Sequence, residues 1–451
     1  MAPRQSKTAP KALPGRTLVV DNGAYTIKAG YASQTPNPDQ DCHIIPNCIA
    51  RSRDKRIYVG AQLEECRDFG EMAFRRPVEK GYLVNWEAEK EIWEQAFFDQ
   101  NAKLKCDPHE TNLLLTEAPS APQSLQSNCD QIIFEEFEFA SYYRCMGPPL
   151  NAYNNISIDS STNNPTSSPQ PSKLPTECLL IDTGYSHTTV TPIHNGHAMH
   201  PALRRLDIGG KLLTNYLKEL ISIRHFGLMD EPYIVNEIKE KVCFVSTDFA
   251  RDLDRVWKHR RPDTAPNPLV LDYVLPDYDA RQEGYVRPRD ASMAGGAGAG
   301  GGEGGGGGGA EANEDVFSLG NERFVVPELL FTPSDIGMKQ AGLPEMVMQS
   351  LEALPETLRP GMMANMVVVG GNAKIPGFME RLESELRSMI PAENLLNLTR
   401  PSDPVKATWL GGAKMAGDQD RMKGLLVSRD DYLEKGHSWV SRHFNATYRL
   451  G

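Results

Sequence analysis

A chain of 451 residues can bury more than one hydrophobic core, so division into two or more domains is expected. Its formal charge of −11 argues against a broad basic face, leaving any nucleic-acid contact local or carried by partners. No apolar run reaches the roughly eighteen residues a membrane span needs. The basic, polar opening Met1–Lys11 lacks the apolar centre of a secretory signal and reads as a disordered tail. The eight cysteines contain no C-x-x-C pair, which favours reduced thiols.

Leu18-Val-Val-Asp21-Asn22-Gly23 is an apolar run ending in an acid, an amide and a glycine, and an alternating segment through Lys28 and Tyr31 follows. This reads as strand, tight turn, strand, with Asp21 at the tip of a buried strand and Lys28 on the returning one. Inward-facing turn amides beside one lysine and one carboxylate suit a metal-bound polyphosphate. Residues 34–40 form a Pro/Asn loop, Ile44–Ala50 a strand, and Arg51–Arg56 a short charged turn into Ile57-Tyr-Val-Gly60. The stretch Lys80–Trp86 breaks before a helix over 87–99, with Ile92, Trp93, Ala96 and Phe97 on its apolar stripe. Asn112–Glu117 is a buried strand. In the aromatic stretch from Cys129 to Cys145, Phe134, Phe137 and Tyr142 are expected on one helix. Asn151–Thr176, mostly Asn, Ser, Thr and Pro, is expected to be a flexible surface insertion.

Cys178-Leu-Leu-Ile-Asp182-Thr-Gly184 repeats the opening pattern, and the strand after it reaches Asn195-Gly196, a strong hairpin signal. Two such units point to a duplicated βββ domain, one copy per lobe. Leu206–Lys211 opens a helix to Leu220; a second, Tyr233–Phe244, puts Ile234, Ile238 and Val242 on one face and leaves Lys239 and Glu240 off it. The segment 294–310 is nearly pure glycine. Its literal G-x-G-x-x-G at Gly296–Gly301 has no strand before it and no helix after it, and is set aside. A third buried strand, Met366–Val369, ends in Gly370-Gly371 before an amphipathic helix over Phe378–Met389. Val427–Tyr432 reads as the start of a capped terminal helix. The histidines 187, 194, 197 and 200 straddle a hairpin with no cysteine pair, so no zinc site is expected. Lys258-His-Arg-Arg261 is a short basic run that a nuclear import signal and a solvated surface share.

Three strand–glycine turns, two of them Asp-x-Gly, suit a cleft in which each lobe supplies a phosphate hairpin and a carboxylate. There is no G-x-x-x-x-G-K-[ST] loop. With Lys80–Trp86, Phe134-Glu-Glu-Phe137, Leu206-Asp-Ile-Gly-Gly210, Ile238–Cys243, Asn321–Glu328 and Trp409-Leu-Gly-Gly412, they make a chain that resembles the actin superfamily from Thr17 to Phe444. Within it, Asp182–Ser186, Gly210–Tyr216 and Pro327–Gly337 resemble the nuclear actin-related proteins.

The resemblance implies an α/β fold of the actin-like ATPase-domain (ribonuclease H-like, duplicated) type, with two lobes around a nucleotide cleft. The lobes would be 17–177, with the insertion 151–176, and 178–400, with a disordered Gly-rich insertion at about 278–315. Residues 1–16 would be a tail, and 401–451 would return to the first lobe. It implies ATP or ADP with Mg as a structural ligand. Asp21, Asn22, Gly23, Ala24, Tyr25 and Lys28 would face the phosphates from one lobe, and Asp182, Gly184, Tyr185 and Ser186 from the other. Gly210, Lys239, Glu240, Gly370, Gly371 and Asn372 would frame ribose and base. Asp21 and Asp182 would hold Mg through water.

Departures from the family pattern qualify this. The first-loop serine and glycine are Ala24 and Tyr25, a second-loop aspartate is Tyr185, and the glutamine that positions attacking water aligns with Gly147. Without those groups binding survives and rapid hydrolysis does not, so no catalytic residue is assigned. The loop a filament needs falls between Arg51 and Tyr58 and is cut short. The expectation is a non-filamentous structural subunit of a SWR1-type chromatin remodeller exchanging H2A for H2A.Z. It would sit in the nucleus, and also in the cytoplasm. Its partners would be the remodeller's ATPase subunit, a small zinc-containing subunit and, within the complex, nucleosomal DNA or histones, with no membrane and no homopolymer. The alternatives are an active ATPase or phosphotransferase of the actin/sugar-kinase fold and a filament-forming, cytoskeletal actin-like protein.

Overall fold

The computed structural model describes residues 14–154, 177–224, 227–258, 267–278, 281–289 and 315–449. Most of the Asn/Ser/Pro segment and of the glycine-rich segment, and residues 259–261 of the basic run, lie outside them.

Two sheets carry the fold. In the first, β1 (Thr17–Asn22), β2 (Thr26–Tyr31) and β3 (His43–Pro46) form an antiparallel meander. On the other side of β1 lie β4 (Asn112–Glu117) and β5 (Ser141–Met146), both parallel to it. In the second, β6 (Glu177–Thr183), β7 (Thr188–His194) and β8 (Arg204–Leu206) repeat the meander. There β9 (Met366–Val369) and β10 (Leu398–Thr399) are the parallel strands beyond β6. The first sheet is completed late in the chain by β11 (Val427–Ser428), antiparallel to β5.

Each sheet is packed by its own helices, giving two separate cores. The first joins Leu18, Val19 and Leu114 to Trp93, Phe97 and Phe134, and to Trp409 and Ala413. The second joins Leu179, Ile181 and Val368 to Leu213, Ile238 and Leu382. A small cluster containing Ala152, Cys178, Leu180, Val367 and Ala407 lies where the chain crosses between lobes. Helix α1 (Trp86–Trp93) starts on Asn85, whose side chain accepts from the Ala88 N–H at 3.2 Å. It continues as a wider turn, Glu94–Phe98. Its expected stripe of Ile92, Trp93, Ala96 and Phe97 is buried.

Two sequence expectations are corrected. Tyr142 does not share a helix with Phe134 and Phe137. Helix α2 (Gln123–Gln131) and one wide turn (Ile132–Glu136) end before it. Glu138 at φ 58° redirects the chain, and Tyr142 enters β5. All six residues of β5 are buried, so no alternation marked it as a strand. Secondly, Ser428 caps a helix by accepting from Asp431 N–H, but that helix is Arg429–Lys435, and another, His437–Arg449, follows it. The shortened loop is a turn, 52–56, joining antiparallel strands Ile49–Arg51 and Ile57–Val59. All eight cysteines are unpaired, and no helix among the described residues is long and apolar enough to cross a membrane.

Candidate functional site

The β1–β2 hairpin is anchored by Leu18, Val19 and Val20, all fully buried, which places Asp21 at the strand end. Asp21 faces Lys28 across the ladder, and the lysine Nζ reaches to 3.9 Å from Asp21 Oδ2. Thr116, at the end of β4, donates its hydroxyl to Asp21 Oδ1 at 2.9 Å and accepts from Asn22 N–H at 3.1 Å. A Cβ on Gly23 would sit 2.6 Å from the Thr26 carbonyl oxygen and 3.2 Å from Lys28 Nζ, so any side chain there would spread the turn. Beneath it Glu89 is fully buried, its carboxyl pushed up to about 7 by burial while bonds with Asn22, Trp93 and Asn47 pull downwards.

The β6–β7 hairpin repeats the backbone and the carboxylate without the lysine. Asp182 pairs with Thr189 where Asp21 has Lys28. Burial, then the nearby Asp21, push its carboxyl up to about 6 against the pull of Lys28. Helix α3 (Gly210–Arg224) buttresses the turn: the N–H groups of Gly210 and Lys211 donate to the Gly184 and Tyr185 carbonyls at 3.0 and 2.8 Å. Gly370 at φ 95° approaches so closely that a Cβ would lie 2.3 Å from the Thr183 carbonyl oxygen, a place only glycine fills. Asn372 then donates to Thr183 Oγ1 at 3.1 Å and the Gly184 carbonyl at 2.8 Å.

Lys239 lies on α4 (Pro232–Val242) and, contrary to its expected place off the buried stripe, is 7% exposed. Its Nζ donates to the Gly210 carbonyl, Thr214 Oγ1 and Asn236 Oδ1 at 3.3, 2.9 and 2.8 Å, and burial lowers its pKa. It props the start of α3. Glu240 is exposed and accepts from Asn236 Nδ2 at 2.8 Å.

These groups surround one cavity of about 610 Å³ between the lobes. Every residue proposed from sequence to contact the nucleotide lies on its wall: the first turn from Asp21 to Tyr25 with Lys28, then Asp182 and the turn from Gly184 to Ser186, then Gly210, Lys239, Glu240, Gly370, Gly371 and Asn372. Gly147 lies there as well. Sequence reading missed Thr116, Asn236, Ile375, Val405 and Thr408, which share the wall. The donor set fits a metal-bound polyphosphate: two carboxylates share one lysine, and a divalent cation would offset the remaining negative charge. Magnesium commonly takes one or two carboxylates with water and phosphate. Among the described residues no group of three His, Cys, Asp or Glu side chains is placed to hold a metal by itself.

The sequence profile described as Actin matches residues 13–445. The chain belongs to the actin family. It is 51% identical to actin-related protein 6 of Neurospora crassa, over 98% of this chain and 97% of that one. It is 47% identical to actin-like protein arp6 of Emericella nidulans, over 96% of each. With actin-related protein 6 of Drosophila melanogaster identity is 36%, over 94% of this chain and 98% of the other.

In this actin-family cleft the lobes also touch directly. The Tyr25 and Tyr185 rings meet with centroids 4.8 Å apart, and the Arg76 guanidinium lies 4.6 and 5.3 Å from them. Asn236 of the second lobe donates to the Tyr25 hydroxyl at 3.2 Å. At the rim Phe69 stacks on Tyr233 at 3.9 Å, and Arg205 donates to the Lys80 carbonyl at 2.7 Å. Such an aromatic pair contributes about 0.5–1.5 kcal/mol beyond area, and a shielded cation over a ring about 0.5–2 kcal/mol. Several act together here, so the closed arrangement has support from the protein itself.

Proposed function

We propose that this chain is a non-filamentous structural subunit of a SWR1-type chromatin-remodelling complex that exchanges H2A for H2A.Z, and that it retains ATP or ADP with Mg without rapid turnover. One observation carries the nucleotide half of this reading. The binding groups, Asp21, Lys28, Asp182 and the turn amides, converge on one cavity, while the wall positions that would orient attacking water hold Gly147 and Tyr185. A bound nucleotide would hold Asp21 and Lys28 of one lobe and the Gly184 turn of the other, and would add its binding free energy to the folded form. Asp21 and Asp182 would supply the charge that a water-shelled Mg needs.

The assembly half rests on the resemblance to nuclear actin-related proteins, supported by full-length similarity to proteins named actin-related protein 6. Its partners would be the remodeller's ATPase subunit and a small zinc-containing subunit, with nucleosomal DNA or histones met inside the complex and the nucleus as the main location. The turn at 52–56 leaves little to reach a neighbouring copy, which favours a subunit over a filament. Purifying the native complex, identifying its subunits and extracting bound nucleotide tests both halves. Robust phosphate release by the purified chain, or filaments in a sedimentation assay, would replace this reading with one of its rivals.

A further inference from the structure

We propose that Tyr25 and Tyr185 set the length of the phosphate chain the cleft accepts: their touching, mutually tilted rings close the gap between the two turns, and the site takes a nucleoside diphosphate in preference to a triphosphate. This rests on the reading of the cleft as a nucleotide site. A terminal phosphate gripped by both turns has to lie between them. In this chain each turn carries one of the two rings, which meet with centroids 4.8 Å apart and planes inclined by 34°, too close for another group to pass between their faces.

The rings are held in place. The Tyr25 carbonyl accepts from Asn47 N–H at 2.9 Å and from Arg76 Nη1 at 3.2 Å, and the Tyr25 hydroxyl accepts from Asn236. The Tyr185 carbonyl accepts from Lys211 N–H, and a Cβ on Gly210 would lie 3.4 Å from the Tyr185 ring. Arg76 is tied to the first turn. Its Nη1 is shared between the Tyr25 and Asn47 carbonyls, both at 3.2 Å, and its guanidinium lies against the rings. Behind them Lys28 and the Gly23 turn serve a shorter chain.

Titrating the full chain with Mg-ADP and Mg-ATP in parallel tests this, in the wild type and in Tyr25→Gly, Tyr185→Gly and Tyr185→Phe. The wild type is expected to bind Mg-ADP at least about tenfold more tightly than Mg-ATP. Either glycine variant is expected to bring that ratio towards one through a gain in ATP affinity, while Tyr185→Phe, which keeps the ring, preserves it. Equal affinities in the wild type overturn the proposal while leaving the nucleotide reading intact, and they decide the matter even where a glycine variant does not fold. An unchanged preference in folded glycine variants also overturns it, because the rings would not be its cause. Binding of neither nucleotide removes the proposal and the nucleotide reading together.

Discussion

The two hairpins that line the cleft, β1–β2 and β6–β7, share a backbone and differ in their charges. In the first, Asp21 has Lys28 opposite it and Thr116 bonded to it. In the second, the same register places Thr189 opposite Asp182, whose carboxyl rises to about 6. Duplication has kept the geometry and allowed the electrostatics to diverge. The first hairpin carries the lysine–carboxylate pair, and the second depends on shape, held by Gly370, Asn372 and the start of α3.

If the second hairpin depends on shape, crowding it should do the most damage. Gly370→Val forces a left-handed φ on a branched residue and drives its side chain into the Thr183 carbonyl. A loss of about 3 kcal/mol or more is expected, read as reduced soluble yield and a lower urea midpoint. An unchanged midpoint would mean that the turn yields easily.

The first hairpin should answer to pH through the acid beneath it. Glu89 titrates near 7 when folded against 4.5 in its ordinary range, so the folded state holds the proton more tightly. Its contribution is full below about 4.5 and is lost as pH rises through 7, up to about 3 kcal/mol. Unfolding curves at pH 5 and pH 8 should therefore converge in Glu89→Gln relative to wild type. Equal pH slopes in the two proteins would show that Glu89 carries no such linkage.

The hairpins can also be set directly against each other in binding. Lys28→Met is expected to weaken Mg-nucleotide affinity by about 1.5–3 kcal/mol, the worth of a charged hydrogen bond. Thr189→Val, the register equivalent, should leave it unchanged. Comparable losses in calorimetry would dissolve the distinction. The smallest effect is expected at the rim, where Tyr233→Ala removes a stack worth about 0.5–1.5 kcal/mol. Hydrogen exchange should rise in the amides around Phe69 and Phe74 while the hairpin cores stay protected. Faster exchange in β1 or β6 as well would mean that the rim governs the whole cleft.

Much of this was legible in the sequence because its signals are local. An apolar run ending in Asp-x-Gly fixes strand, turn and carboxylate within a few residues, and two such runs, with a third that ends in Gly370-Gly371, located the cavity wall. Thr116, Arg76 and Asn236 left no such mark, since each acts on a turn far away in the chain. Tyr142 was misplaced because a strand buried on both faces shows no alternation. Lys239 falls off the apolar stripe of its helix and reads from sequence as a side chain free to frame a nucleotide. Only three-dimensional placement shows its ammonium satisfied by protein acceptors.

The late strand β11 bears on how the molecule is made. Because β11 and Trp409 complete the first lobe, that lobe is begun first on the ribosome and finished last. The second lobe is synthesised in full while one surface of β1 still waits for its cover. For that interval the nascent chain carries exposed apolar surface that its own remaining residues must reach, a window in which a holding chaperone has something definite to shield.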